Sequence, residues 1–306
     1  MRYLYADTSI WNLLHDQNAD PHSLCLALAN RGVSFAIGFN VLYEVAKQFF
    51  SGTDEATERG RELFAYINRY LDLRIPILKE NSSLLIEEAL DVTETERMES
   101  CFRNGSQYQK AVQEIEKLRK GVVAPETARF FEGRKSEARA SRASIRDHLG
   151  TRPDLTAALR GISEGALPAF VQSASVGPPG RFLLMGHLRR EFRSNSHDEL
   201  ARVAELLLES PRYRLSHAMT RTDLYLNWRC VNRGSIRSDL PDDTFHVVSA
   251  AYCDVFATTE ADQVSIARHA MEGIQTMVCN HDERLSDRLL SELERNVETA
   301  GSFLAK

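Results

Sequence analysis

Residues 2–9 read RYLYADTS, and this stretch sets the interpretation of the rest of the chain. Aromatic and aliphatic side chains run through residue 6 and then give way to Asp7, Thr8 and Ser9, which predicts a short buried strand that ends in a polar turn. Further strands are predicted at 33–37 (VSFAI), 254–258 (DVFAT) and 274–278 (IQTMV). Because helical patterns alternate with these strands, we expect an α/β fold with a parallel sheet.

The helical patterns divide the chain into an α/β core and a long central region. Helices are predicted from Ser9, over 21–30, after an N-cap at Asn40, and over 55–70, 82–99, 242–252, 261–271 and 282–298. The segment 73–78 (LRIPIL) is predicted to be a short strand or an extended connector, because Pro76 cannot donate a central ladder hydrogen bond. Residues 1–100 and 236–306 therefore form the predicted core, and 101–235, with long charged helices and Gly and Pro breaks, a helical insertion.

Composition excludes several classes of protein. The chain has 306 residues, of which 43% are hydrophobic and 26% charged, and it contains no apolar run long enough to span a bilayer. Asp7 also interrupts what would be the apolar region of a secretory signal, so we expect a cytoplasmic protein with no membrane partner. The five cysteines are scattered without a C-x-x-C pair, which argues against a disulfide framework or a cysteine zinc site.

The net charge of −5 argues against a protein that coats nucleic acid by bulk electrostatics. Between residues 103 and 152, however, twelve Lys and Arg face six Asp and Glu. Within this basic stretch the candidate nucleic-acid contacts are Arg134, Lys135, Arg139 and Arg142. The alternative interpretation is a solvated helix face, since charged helices commonly expose such residues to water.

Four acidic residues lie at the ends of predicted elements, where open α/β sheets place their ligand sites. Asp7 ends the first strand, and Glu44 lies on the helix after the second. Asp243 opens the helix DDTFHVVSAAY, and Glu260 follows the strand DVFAT. Clustered carboxylates raise one another's pKa unless a counter-charge is present, and Mg²⁺ or Mn²⁺ would supply it. The alternative is that these acids are helix caps and surface charges.

The segments YADTSIW, NVLYEVAK and DDTFHVVSAAYCDVFATTEADQ, in this order, together resemble the PIN-domain family of metal-dependent ribonucleases. The resemblance covers roughly residues 1–80 and 240–280 and implies a three-layer α/β/α fold with a central parallel sheet. It implies that Asp7, Glu44 and Asp243 are ligands of one or two Mg²⁺ or Mn²⁺ ions. The family usually has Asp where this chain has Glu260, so Glu260 would be a fourth ligand or act through water.

The same resemblance implies supporting roles for neighbouring residues. Those proposed to orient a ligand, a water molecule or a phosphate, or to compete for a ligand position, are Thr8, Ser9, Asp242, Thr258 and Asp262. Asp242 competes with Asp243, and Asp262 could take over the role of Glu260. His246 follows Asp243 by one turn and is either a phosphate contact or a packing residue.

The activity implied by the resemblance is hydrolysis of single-stranded RNA by metal-activated water, with DNA open as a substrate. No H-E-x-x-H or P-loop motif points to a zinc hydrolase or to a nucleotide motor. The alternative is a non-catalytic module that binds nucleic acid or protein through its helical region. A toxin held inactive by a cognate partner is a further candidate, and a regulatory protein partner or a homo-oligomer would be compatible with each of these functions.

Overall fold

The computed structural model describes residues 1–50, 53–93, 98, 100–122, 125, 149–150, 153–233, 240–271, 273–280, 284–291 and 293. Its centre is a four-stranded, all-parallel sheet, so the predicted parallel α/β fold is confirmed. The strands are β1 (Arg2–Ala6), β2 (Val33–Ala36), β3 (Val255–Thr258) and β4 (Gln275–Val278). They lie in the order β2-β1-β3-β4, which places β1 and β3 side by side in the middle.

The first third of the chain wraps this sheet with helices. They are α1 (Thr8–Asp16), α2 (Pro21–Ala29), α3 (Phe39–Lys47), α4 (Asp54–Asp72) and α5 (Asn81–Val92), with a 3₁₀ turn at Gln48–Phe50. The predicted helix over 82–99 is too long, because α5 ends at Val92 and residues 98 and 100 are not helical. The predicted connector at 73–78 is confirmed. Ile77 pairs with Ile37 just beyond β2, and the carbonyl oxygen of Pro76 accepts a hydrogen bond from the Ile37 nitrogen.

The predicted N-cap at Asn40 is wrong. Gly38 occupies the N-cap position of α3, and Asn40 lies within the first turn of the helix. The Asn40 amide instead donates hydrogen bonds to the Phe245 carbonyl and to the Ser249 hydroxyl, at 3.1 and 2.6 Å. A distant helix therefore overrides the local capping preference of Asn.

The central region is helical in every part that the structure describes as regular. Its helices are α6 (Gly105–Arg119), α7 (Pro153–Arg160), α8 (Leu167–Val176), α9 (Pro178–Glu191), α10 (His197–Glu209) and α11 (Arg214–Arg233). α11 is the most deeply buried of these, because it packs against α5, α8 and α9 as well as against the C-terminal part of the chain. Side chains of this region share one hydrophobic core with those of the sheet.

The C-terminal part returns to the sheet. It contains α12 (Leu240–Ser249), a 3₁₀ turn at Ala250–Tyr252 before β3, and α13 (Ala261–Ala270) between β3 and β4. Of the predicted final helix at 282–298, residues 285–291 are helical, and much of the remainder lies outside the described residues. Over the described chain, no helix combines the length and apolarity needed to span a bilayer.

Candidate active site

The topology of the sheet predicts a ligand site at the carboxyl ends of its strands. The chain passes from β1 to β2 toward one side of the sheet and from β3 to β4 toward the other, so the direction of winding reverses between β1 and β3. Open α/β sheets bind ligands in the crevice outside the carboxyl ends of the strands at such a reversal. Asp7 follows β1, and Thr258 ends β3. The Asp7 backbone nitrogen donates to the Ala257 carbonyl at 3.1 Å and joins the two strand ends.

Asp7 is buried at this reversal point, with 1% of its surface exposed. Its Oδ1 accepts hydrogen bonds from the Ser9 hydroxyl at 2.6 Å and from the Ile10 backbone nitrogen at 3.0 Å. Its Oδ2 accepts one from the Thr258 hydroxyl at 2.8 Å. Burial raises the pKa of Asp7, and the charge of His246 and these hydrogen bonds oppose part of that rise. Asp7 thus caps α1 and is held in a single orientation by three donors.

The loop after β3 is tied to the same cluster. The Thr258 hydroxyl accepts a hydrogen bond from the Glu260 backbone nitrogen at 2.9 Å, and the Ser9 hydroxyl accepts one from the Thr259 backbone nitrogen at 3.0 Å. Ser9 and Thr258 therefore each connect Asp7 to the beginning of α13. The side chain of Glu260 itself is exposed, at the N-cap position of that helix.

Glu44 faces a buried histidine. His246 is 1% exposed, and its Nε2 lies 3.1 Å from Oε2 of Glu44. The Tyr5 hydroxyl lies 2.9 Å from the other ring nitrogen, Nδ1. The Tyr5 ring packs against Gly38, which lies between β2 and α3. An added Cβ at position 38 would lie 2.5 Å from a carbon of that ring, so this position requires glycine. Thr8 is also buried beside this pair, and its hydroxyl helps to lower the pKa of Glu44.

The electrostatics of the pair show which groups surround His246. Burial alone would lower the pKa of His246, but the carboxylates of Glu44, Asp7 and Asp243 raise it to about 9. Burial likewise acts to raise the pKa of Glu44, and the charge of His246 reverses that effect, so the pKa of Glu44 is lowered. Three of the four predicted ligands therefore lie close enough to one histidine to stabilise its charged form.

Asp243 and Asp262 have different partners. Asp243 is partly exposed, and its Oδ1 accepts a hydrogen bond from Nε2 of Gln263 at 3.3 Å. Asp262 forms a two-pronged ion pair with Arg229 of α11, at 3.0 and 3.1 Å. Asp262, which the sequence offered as a substitute for Glu260, is thus engaged with the central region. The side chain of Asp242 lies outside the described residues, and so do Arg134, Lys135, Arg139 and Arg142.

The donor atoms at the carboxyl ends of the strands are of the kind that a hard divalent cation prefers. Asp7, Glu44 and Asp243 supply carboxylate oxygens, and Oε1 of Gln263 is a buried amide oxygen with no hydrogen-bond partner among the described residues. Oxygen donors of this kind suit Mg²⁺ and Mn²⁺. Within the same described part of the chain, no three His, Cys, Asp or Glu side chains are grouped tightly enough to hold a metal ion.

Sequence reasoning missed several residues of this site. The pairing of His246 with Glu44 and Tyr5 joins three separate segments of the chain, and no motif predicts it. The sequence patterns do not predict a role for Gln263 either. Its only signal is its position in the first turn of the helix after β3, three residues beyond Glu260.

Comparison with known proteins adds no assignment. No family model, no curated protein and no solved structure matches the chain. The functional argument therefore rests on the geometry at the carboxyl ends of the strands.

Proposed function

We propose that this protein is a PIN-like, divalent-metal-dependent nuclease, and that its substrate is single-stranded RNA. The observation that carries the proposal is the position of Asp7. It is a buried carboxylate at the reversal point of a parallel sheet, with Glu44 and Asp243 gathered around the same histidine. RNA is preferred to DNA because the sequence motifs resemble a family that is mostly ribonucleolytic.

The topology supports the three-layer arrangement that such a fold requires. Crossovers between parallel strands are right-handed in nearly all proteins. The β1–β2 and β3–β4 crossovers run toward opposite edges of the sheet, so right-handed connections put α1 and α2 on one face and α13 on the other. We therefore infer a PIN-like α/β/α sandwich around the central sheet.

In this proposal Asp7, Glu44 and Asp243 hold the cation, and Glu260 contributes from the exposed rim. A bound Mg²⁺ or Mn²⁺ would activate water for attack on the phosphodiester and offset charge on the leaving oxygen. The protein's own contribution is to keep the carboxylates in place. Ser9 and Thr258 hold Asp7, and His246 supplies positive charge beside Glu44, so Glu44 can stay ionised before a cation binds.

The first experiment is cleavage of labelled single-stranded RNA and single-stranded DNA with Mn²⁺, Mg²⁺ or EDTA. We expect metal-dependent cutting of RNA by the wild-type protein and none by an Asp7→Asn, Asp243→Asn double variant. Asp254→Asn is a matched control, because Asp254 lies just before β3, at the amino end of the strands and away from the candidate site. Its Oδ2 accepts a hydrogen bond from the Tyr3 nitrogen at 2.7 Å. That variant should cut at the wild-type rate.

A parallel thermal-unfolding measurement separates a missing substrate from a missing metal site. Binding of Mn²⁺ at 100 times its Kd should stabilise the wild-type protein by about 2.7 kcal/mol, and the double variant should not respond. No cutting of either polymer, together with no shift in Tm, would contradict the nuclease proposal. Cutting of DNA in preference to RNA would keep the reaction and change the substrate.

One observation favours a second candidate, a non-catalytic interaction module. His246 already provides a counter-charge for the carboxylates, so these acids have a structural partner without any cation. This candidate predicts that Mn²⁺ leaves the Tm unchanged in both proteins.

A further inference from the structure

Gln263 is a buried polar residue that the proposed ligand set does not include. It lies in the first turn of α13, and 4% of its surface is exposed. Its Nε2 donates to Oδ1 of Asp243 at 3.3 Å, whereas its Oε1 is buried without a hydrogen-bond partner among the described residues. One end of this amide is therefore satisfied, and the other end is an acceptor available at the carboxyl ends of the strands.

The chemistry of Asp243 decides which end of the amide faces it. An ionised carboxylate only accepts hydrogen bonds, so the NH₂ group must point toward Asp243 and the carbonyl oxygen away from it. Rotating the amide would place two acceptors against each other. A buried acceptor without a donor costs free energy, and native proteins keep such atoms where a ligand, ion or water satisfies them.

The helix that carries Gln263 is anchored from the central region. The preceding residue, Asp262, is held through both carboxylate oxygens by Arg229, which is 7% exposed. Two residues after Gln263, the hydroxyl group of Ser265 lies 2.9 Å from that of Tyr225, which is also on α11. The Gln263 side chain thus projects from a helix turn that is fixed on two sides, which favours a positioned donor over a mobile surface amide.

We propose that Gln263 is a further residue of the cation site: its NH₂ group orients Asp243, and its Oε1 supplies an oxygen to the divalent cation, directly or through a water molecule. The inference rests on the proposed function, because it assumes that a cation binds among the carboxylates. A neutral amide oxygen is a hard ligand that adds no further negative charge to a site already rich in carboxylates. Through Arg229 and Asp262, α11 of the central region then becomes part of the support of the site.

The test compares Gln263→Met with Arg268→Ala in the full chain. Methionine keeps the volume of the side chain and removes both polar groups, whereas Arg268→Ala changes an exposed side chain of the same helix. Mn²⁺ affinity is measured by calorimetric titration, and Tm is measured in EDTA. We expect Gln263→Met to weaken Mn²⁺ binding by about 10–100-fold, as loss of a supporting residue commonly does, without lowering the Tm in EDTA. Arg268→Ala should bind Mn²⁺ as the wild type does.

A second variant keeps the inference testable if Gln263→Met folds poorly. Gln263→Glu retains an oxygen at the Oε1 position and replaces the donor by an additional negative charge. We expect a lower Tm than wild type in EDTA and a larger rise in Tm on addition of Mn²⁺. A merely structural Gln263 would lower the Tm in EDTA in both variants and leave the response to Mn²⁺ unchanged.

The outcomes distinguish this inference from the function on which it rests. If the wild-type protein binds Mn²⁺ and both Gln263 variants bind it with the same Kd, Gln263 is not part of the site, and the nuclease proposal stands. If the wild-type protein does not bind Mn²⁺, the proposed function itself is overturned.

Discussion

Two acidic sites in this protein differ in what lies beside their carboxylates. At the carboxyl ends of the strands, Asp243 accepts a hydrogen bond from Gln263, whose amide oxygen is buried without a partner among the described residues. At the junction of α5 and α11, Glu88 is fully buried. Its Oε1 accepts from the Leu215 nitrogen at 2.9 Å, and its Oε2 accepts from the Ser216 nitrogen at 3.0 Å.

The Glu88 site has a structural explanation that needs no ligand. The nitrogens that it accepts from are in the first turn of α11, where a helix leaves N–H groups without partners and favours negative charge. The hydroxyl groups of Ser216 and Tyr252 also donate to the same carboxylate. Four donors thus surround two oxygens. Burial of an acid therefore does not by itself indicate function in this fold, and the proposed cation site depends instead on the unsatisfied Gln263 oxygen beside Asp243.

The largest effect that would test this contrast is the loss of Glu88. Glu88→Ala leaves the Leu215 and Ser216 nitrogens and the Tyr252 hydroxyl buried without their acceptor. We expect the free energy of unfolding, measured in urea, to fall by about 3–5 kcal/mol, because each stranded donor costs about 1–3 kcal/mol. The Mn²⁺-induced rise in Tm should persist, since the junction is not part of the proposed cation site.

The matched control is the neighbouring residue. Glu87 pairs with Lys79 at 2.7 Å, but its side chain is 31% exposed, so Glu87→Ala should cost less than about 1 kcal/mol. Equal losses in the two variants would remove the distinction between a capping carboxylate and an ordinary ion pair.

A smaller effect is expected at Thr258, which connects the two strand ends of the candidate site. Thr258→Val keeps the shape of the side chain but deprives Asp7 of a donor and the Glu260 nitrogen of an acceptor. We expect a loss of about 1–3 kcal/mol in the free energy of unfolding, and a further rise in the pKa of Asp7, because the hydrogen bond from Thr258 lowers it. Thr258→Ser keeps the hydroxyl, and a loss as large as that in the valine variant would show that the hydroxyl is not responsible.

Much of this fold follows from local pattern. The predicted strands at 2–6, 33–37, 254–258 and 274–278 are present within one residue at each end, because short apolar runs between turn residues are a strong signal for buried parallel strands. A parallel sheet then follows from their alternation with helices. The end of α5 and the capping of α3 did not follow. The first involves a contact from beyond the helix, in which the Met98 nitrogen donates to Oδ1 of Asp91, and the second depends on contacts between Asn40 and α12.

The candidate site, too, could be predicted from the sequence only in part. The predicted ends of the strands indicate the positions of Asp7 and Thr258, because the carboxyl ends of neighbouring parallel strands lie together. The partners that determine their electrostatics come from far along the chain. His246 reaches Tyr5 across 241 residues of sequence, and Glu88 reaches Ser216 across 128. Neither contact has a periodicity or a spacing that a single sequence displays, so the acids of the two sites look alike until the chain is folded.

The smallest expected effect concerns the pH dependence of stability at the Glu88 junction. Burial raises the pKa of Glu88 above its ordinary value, although its four hydrogen bonds oppose that rise. The native state therefore holds this proton more tightly than the unfolded chain, whose glutamates titrate near about 4.3. The stability contributed by the protonated group is fully present below that pH and is lost as the pH rises through the raised native pKa.

Glu88→Gln cannot titrate, so the free energy of unfolding of the wild-type protein should fall relative to that of this variant as the pH rises from about 4 to 7, by about 1.4 kcal/mol for each unit of pKa shift. A difference in the free energy of unfolding that is the same at every pH reflects the altered hydrogen bonds to Ser216. Only the change of that difference with pH reports the titration of Glu88. Burial also raises the pKa of Tyr252, so this neighbour stays neutral throughout the range. Parallel curves for the two proteins would mean that the four donors fully compensate the burial of Glu88, and the contrast with the carboxyl ends of the strands would then be sharper than proposed.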